Sequence, residues 1–353
     1  MTTVSVIDPL TDTRWDELLE RHPRSSVFHS RGWLEALRRT YGYEPMVLTT
    51  TDRGPLEDGV AVCGIRTWFS RRLVSVPFSD HCEPLVDAPD KMRAILEYLA
   101  GEMRKGRWRS IELRPRCRTQ AGGDAQSVWD EAPALPRGRY CLHTLDLSPP
   151  PERIFDRFHH SSTQRAIRRA EREGLSYEVG ASERLLSDFY PLLRQTRRRH
   201  GLPPQPMAWF RSLIACLHDN LAVHLASKDG RPVAGILTLS FKKTMVYKYG
   251  GSDATEHRLG GMPFLFWRAI QQAKAQGREE LDLGRSDLDQ PGLVAFKDHL
   301  GAACSTLTYY RWPEKRSAIA HDGVILRAAR RVIAHLPDAA LDLTGRLLYK
   351  HLG

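Results

Sequence analysis

The stretch that most constrains the fold runs from Tyr247 to Gly301. An alternating apolar strand over 244–249 enters Gly250-Gly251-Ser252, where the backbone has to turn sharply. A polar loop and Gly260-Gly261 follow, and Pro263 opens a helix. The apolar spacing of Phe264, Phe266, Trp267 and Ile270 carries that helix to about Gln276, with Gly277 in the position that closes helices. A second strand over 280–283 ends at Gly284, and a turn-rich loop over 285–290 leads into a short helix bearing Phe296 and Lys297. The order is strand, glycine turn, helix, strand, loop, lysine. Backbone N–H groups at the head of the Pro263 helix form a candidate anion site, and one cation stands near a strand end.

The whole chain, 353 residues, is long enough for two ordinary domains. A formal charge of +10 points to an anionic partner: nucleic acid, a phospholipid surface or a phosphorylated substrate. The six cysteines are scattered with no Cys-x-x-Cys, a pattern of reduced thiols without a disulfide framework or zinc knuckle. No signal peptide is visible, and no run of about 18 apolar residues offers a membrane span. The expected location is therefore cytoplasmic. Asp80, His81, Cys82 and Glu83 are consecutive in an extended segment and alternate in direction, so no metal site is assigned to them.

Before the defining stretch, a strand at 4–7 and a helix at 15–20 precede the turn Val27-Phe28-His29-Ser30 and a helix over 31–41 with Trp33 on its apolar face. Three strands (45–50, 59–67, 72–76), the segment Pro77-Phe78-Ser79-Asp80, a helix (90–105) and a strand (110–113) complete a first α/β unit. Residues 115–139 read as a surface excursion, and 140–147 as a strand. A basic helix is expected over 155–173 and a periodic one over 182–200, ending Thr196-Arg197-Arg198-Arg199. A helix at 207–217 and strands at 221–227, 233–241 and 244–249 follow, with hairpin turns at Asp229-Gly230 and Lys242-Lys243. Beyond the last strand (304–311), two basic helices (317–335, 337–352) either dock on the body or lie on an anionic membrane surface.

The Tyr-x-Tyr-Gly-Gly-Ser turn, the Leu-Asp-Leu-Gly strand end and the Gly-Leu-x-x-Phe-Lys helix resemble the second half of the Fem-type aminoacyltransferases, the FemAB-like branch of the GNAT acyltransferase superfamily. The Phe-His-Ser turn and the Pro-Phe-Ser-Asp loop extend the resemblance over roughly residues 5 to 312. It implies an α/β (α+β) chain with a duplicated GNAT-like fold: two mixed central sheets flanked by helices, plus a C-terminal helical tail. The expected parts are an acceptor-side half (1–147), a transfer half (148–312) and a basic amphipathic tail (313–353).

With no evident nucleophile, triad or metal motif, the implied chemistry is direct acyl transfer to an amine, with stabilisation of the oxyanion. The resemblance assigns Lys297 to the oxyanion or donor phosphate, and Asp80 to the amine proton. It places Trp33, Thr196, Arg199, Tyr249 and Phe296 against substrate. Tyr247 and Tyr249 are read as facing opposite sides, and Tyr249 is chosen as the one beside the glycine turn. Arg258, Gly260 and Gly261 are the candidate donor-phosphate loop, although Pro263 stands where CoA-binding loops carry Gly or Ala. No tightly bound cofactor is expected. The donor is an acyl-CoA or an aminoacyl-tRNA, and the acceptor a small or lipid-linked amine of a cell-envelope, glycan or peptide precursor. tRNA is a candidate partner, and the tail is a candidate contact with the inner face of the membrane. The rival reading is a non-catalytic basic adaptor binding tRNA or an anionic membrane surface.

Overall fold

The computed structural model describes residues 2–67, 71–116, 129, 135–312 and 331–352. They fall into two units, Met1–Tyr140 with Thr306–Ser317 and Tyr349–Gly353, and Cys141–Ser305 with Ala318–Leu348.

In the first unit, β1 (Ser5–Ile7) is followed by α1 (Arg14–Arg21) and α2 (Arg31–Tyr41), then β2 (Glu44–Thr49), β3 (Val60–Arg66) and β4 (Arg71–Val74). Helix α3 (Pro89–Arg104) crosses to β5 (Ser110–Leu113). β1 through β4 pair antiparallel in succession, whereas β4 and β5 pair parallel. A parallel pair needs a crossover, and α3 supplies it. Ser30 caps α2 by accepting the Trp33 N–H, and Gly42 closes it at φ 70°. Met92, Ile95, Leu96 and Leu99 of α3 bury against Val60, Val62, Leu73 and Ile111 of the sheet.

The second unit repeats this order. β6 (Leu135–Asp146), whose residues from Cys141 onward belong here, is followed by α4 (Pro151–Asp156) and α5 (Arg165–Arg172). Then come β7 (Ser176–Gly180), α6 (Glu183–Arg199), α7 (Met207–Leu217), β8 (Leu221–Lys228), β9 (Arg231–Phe241) and β10 (Thr244–Ser252). Helix α8 (Gly261–Ala275) crosses to β11 (Glu280–Asp287), and α9 (Pro291–Asp298) follows. β7 to β10 pair antiparallel in turn, and β10 and β11 pair parallel. Strand, two helices, three antiparallel strands, crossover helix and parallel strand thus occur twice, so the fold is duplicated.

Local chemistry explains the elements. Asp229-Gly230 turns the β8–β9 hairpin with both residues at positive φ (51° and 77°), as an Asp-Gly two-residue loop requires. Ser182 caps α6 through the Leu185 N–H, and Leu185, Leu186, Phe189, Tyr190, Leu192 and Leu193 form its buried face. Gly277 stops α8 at φ 71°. Helix α8 is apolar nearly all round because it lies in the core, where Phe264, Leu265, Phe266, Ala269 and Ile270 are almost wholly buried.

Several boundaries differ from expectation. Helix α8 begins at Gly261, two residues before Pro263, and β11 runs on to Asp287. The expected basic helix over 155–173 is broken: α4 ends at Asp156, and a π-helical turn at His160–Gln164 precedes α5. His159 causes the break, because its Nδ1 takes the Ser162 N–H and competes with the helical pattern. β6 starts at Leu135, ahead of the expected 140. The rest of the 115–139 excursion, apart from residue 129, lies largely outside the described residues. So does most of the expected helix over 317–335, described only from Arg331.

The last strand, β12 (Ala303–Trp312), pairs antiparallel with β5 through Tyr310, Arg311 and Trp312. A final helix, α10 (Asp338–Leu352), ends the chain. No described helix is long and apolar enough to cross a membrane.

Candidate active site

The feature that opens a site in the second unit is a divergence of two parallel strands. β10 and β11 pair only from Thr244↔Glu280 to Val246↔Asp282, yet both continue. β10 stays on β9 as far as Ser252, and β11 runs to Asp287. The β10–β11 register thus ends at Val246↔Asp282, while β10 follows β9 on through Tyr247, Tyr249 and Gly250 to Ser252. Two parallel strands that part inside a domain open a cleft between them, a usual place for a ligand in such sheets.

The divergence has a cause in sequence. Asp282, 1% exposed, accepts the Gly284 N–H at 2.7 Å, and Gly284 takes φ 70°, a conformation that costs other residues about 1–2 kcal/mol. Lys297 of α9 is 3% exposed, and its Nζ donates to the carbonyl oxygens of Gly284 (2.9 Å) and Arg285 (3.2 Å). A buried ammonium must be hydrogen-bonded to be tolerated, and the bent strand supplies the acceptors. Leu-Asp-Leu-Gly and Phe-Lys are therefore one device: a carboxylate kinks the strand and a lysine holds the kink. Beside it, the buried Ser286 hydroxyl makes no hydrogen bond among the described residues. His143 of β6, wholly buried, meets Asp298 at 3.1 Å through Nε2. Burial, and then the Lys297 cation, hold its pKa below the ordinary value.

Two tyrosines flank the glycine turn. In a regular strand residues two apart share a face. The extra residue Lys248 sits in a β-bulge, where the register moves from Tyr247↔Thr238 to Tyr249↔Leu237 and turns the two rings apart. Tyr247 packs on Phe266 (4.8 Å between centroids), which packs on Phe296 (5.5 Å), and the Tyr247 hydroxyl fills the space beside Gly250. Tyr249 accepts the Trp209 indole N–H at 2.9 Å and lies edge-on to Phe210. Phe296 therefore shares its aromatic line with Tyr247, whereas Tyr249 is joined to α7.

Thr196 and Arg199 are brought together with the glycine turn. The Thr196 hydroxyl accepts the Ser252 N–H (3.0 Å) and one Arg199 N–H (2.9 Å), while Arg199 also donates to the Ser252 carbonyl (2.9 Å). Ser252 Oγ lies 2.9 Å from His257 Nε2. Burial, and next the Arg199 cation, lower the pKa of His257. Gly251 has no space for a Cβ because the α6 backbone at Leu192–Leu193 lies against it.

The loop before α8 is shaped by packing. Gly260, at φ 80°, rests on the Ala166 carbonyl of α5, and a Cβ on Gly261 would lie 2.9 Å from Ala234 Cβ. The Arg258 carbonyl accepts from Arg169 at 3.0 Å, and the Arg258 side chain is exposed. Contact with α5 and β9 thus accounts for both glycines, so they carry no independent signal for a donor phosphate.

In the first unit, the segment after β4 occupies the place that the glycine turn holds after β10. Val76 and Phe78 sit at φ 44° and 61°, positions costly for such side chains. Arg114 braces the loop by donating to the Ser79 carbonyl (3.1 Å), and the Tyr309 hydroxyl donates to the Asp80 carbonyl (2.5 Å). Asp80 is half-buried on this strained, held loop. Trp33 corrects the expectation made for it: it is wholly buried, edge-on to Phe28, and serves the core instead of offering a substrate surface.

The second unit, with its parallel strands β10 and β11 parting after a short pairing, has the GNAT fold. Residues 157–298 match the family described as acetyltransferase (GNAT) domain. In structure the chain is similar to FemX, at 14% identity and a TM-score of 0.68, over 86% of this chain and 96% of that one. It is similar to the C-terminal domain of a putative lysylphosphatidylglycerol synthetase from Agrobacterium fabrum (16% identity, 89% and 95% covered, TM-score 0.55). It is also similar to a tandem GNAT protein from the clavulanic acid biosynthesis pathway (12%, 89% and 100%, 0.56). No curated protein sequence matches the chain.

Proposed function

We propose that this acyltransferase moves an aminoacyl or small acyl group from an activated donor to an amine of a cell-envelope, glycan or peptide precursor, with the second unit binding the donor. The observation that carries the reading is the parting of β10 and β11 around Lys297. The donor's acyl portion lies in the cleft where β10 and β11 part. The acceptor nitrogen attacks the donor carbonyl carbon, and the carbonyl oxygen becomes an oxyanion beside the Lys297 ammonium. The bond to the leaving oxygen or sulfur then breaks, an amide forms, and the nitrogen gives up its proton. Asp80, on its braced loop, is assigned to that proton. Arg199 and Thr196, anchored to Ser252, are assigned to acceptor phosphate or peptide, and Tyr249 beside α7 and Phe296, in line with Tyr247, are assigned to substrate on their separate sides.

Of the two donors, aminoacyl-tRNA is favoured over acyl-CoA. The Gly260-Gly261 pair is accounted for by packing, Pro263 removes an N–H from the helix head, and the chain is basic by +10. Thermal shift with acetyl-CoA, longer acyl-CoAs and bulk aminoacylated tRNA tests the choice. Stabilisation by charged tRNA, and not by its deacylated form, is expected. Stabilisation by a CoA ester alone reverses the donor assignment. The adaptor reading predicts that charged and uncharged tRNA stabilise equally.

A further inference from the structure

Helix α10 is sorted by charge as well as by hydropathy. Its inner face is docked on the second unit: Leu341 is wholly buried, and Gly345 lies on the Pro204 carbonyl with no space for a Cβ. Both of its acids are turned to α6, where Arg194 meets Asp338 at 2.5 Å and Asp342 at 3.1 Å, and Arg198 also holds Asp338. The acids are thus used in docking.

The opposite face is apolar and basic. Leu343 and Leu347, one turn apart, are 55% and 60% exposed, and the exposed Arg346 and Lys350 flank them on one side. Just before the helix, Arg331 and Val332 (63%) are exposed as well. Arg331, Arg346 and Lys350 form no ion pair with any described residue. Two leucines on an open face add nothing to docking, and an outer face that keeps only cations is built for a surface of opposite charge.

We propose that this face of α10 seats on an anionic lipid surface, with Leu343 and Leu347 entering the headgroup–acyl boundary and the cations pairing with lipid phosphates. The site is separate from the transfer site and does not depend on the donor assignment. A second copy of the chain is the weaker occupant. Two leucines fall well short of the roughly 1,000 Å² that a stable interface buries, and two such faces would oppose like charges.

Flotation of the full chain with vesicles tests this. Binding to vesicles containing phosphatidylglycerol, absence from pure phosphatidylcholine vesicles, and weakening by salt are expected. The double substitution Leu343→Gln/Leu347→Gln should lower the affinity about tenfold or more, and Arg346→Gln/Lys350→Gln should lower it and flatten its salt dependence. These side chains are exposed, so all variants should melt with the parent chain, which separates lost binding from lost folding. The proposal is overturned if the parent ignores anionic vesicles, or if the leucine variant binds undiminished. It is equally overturned if sedimentation shows a dimer that the leucine substitutions disperse.

Discussion

Lys297 combines two duties that a substitution separates. Its ammonium holds the kink at Gly284 and Arg285, and it is the cation assigned to the oxyanion. Lys297→Met keeps the length and removes the charge, leaving two carbonyls short of a donor. A loss of roughly 1–3 kcal/mol of stability is expected from denaturant titration. Transfer should fall about a hundredfold to a thousandfold, beyond what the unfolded fraction explains. Gly284→Ala tests the kink alone: a positive φ at Ala costs about 1–2 kcal/mol, seen as an earlier melt. At this scale the sequence was legible where chemistry is local. Gly284, Gly277 and Asp229-Gly230 announce their turns, because few other residues adopt those angles. Trp33 was misread because an aromatic residue on an amphipathic helix has the same pattern whether it meets the core or a ligand.

Among elements, the crossover around α8 was readable from residue order, since apolar periodicity changes from two to three or four and back. The bulge at Lys248, the π-turn at His160 and the way α5 rests on Gly260 were not. The bulge and the α5 contact each depend on another element, and the π-turn on a side-chain bond between the Ser162 N–H and His159 Nδ1 that periodicity does not show. Gly260→Ala should therefore destabilise the α5–α8 contact whether or not donor is present, because its Cβ meets the Ala166 carbonyl. A lowered melting point in the free protein is expected. An unchanged melting point with lost donor binding would restore the glycine loop as a phosphate cradle.

For the whole molecule, the buried histidines set the acid limit. Burial pushes His29 and His224 down to about 4 from an ordinary 6.5, so the folded chain keeps them neutral. Below the unfolded value the unfolded chain takes up protons that the folded one refuses. Stability should fall as pH drops from about 6.5 towards 4, by up to roughly 3 kcal/mol for each group. Urea midpoints across that range check the slope, and His224→Gln should flatten it. The duplication is legible at this scale too, because both halves give the same succession of strands and helices. Charge is less informative: +10 indicates an anionic partner without saying which surface meets it. The sorting of α10 became visible only when Asp338 and Asp342 were found paired with α6.

The central claim is amide-forming transfer that depends on the Lys297 cation. It is tested most directly by giving the purified protein aminoacylated tRNA labelled in the aminoacyl group, together with an envelope-precursor extract. The label should pass into an alkali-stable, amide-linked product with the parent chain, and by at least a hundredfold less with folded Lys297→Met. Equal transfer by the two proteins would contradict the account.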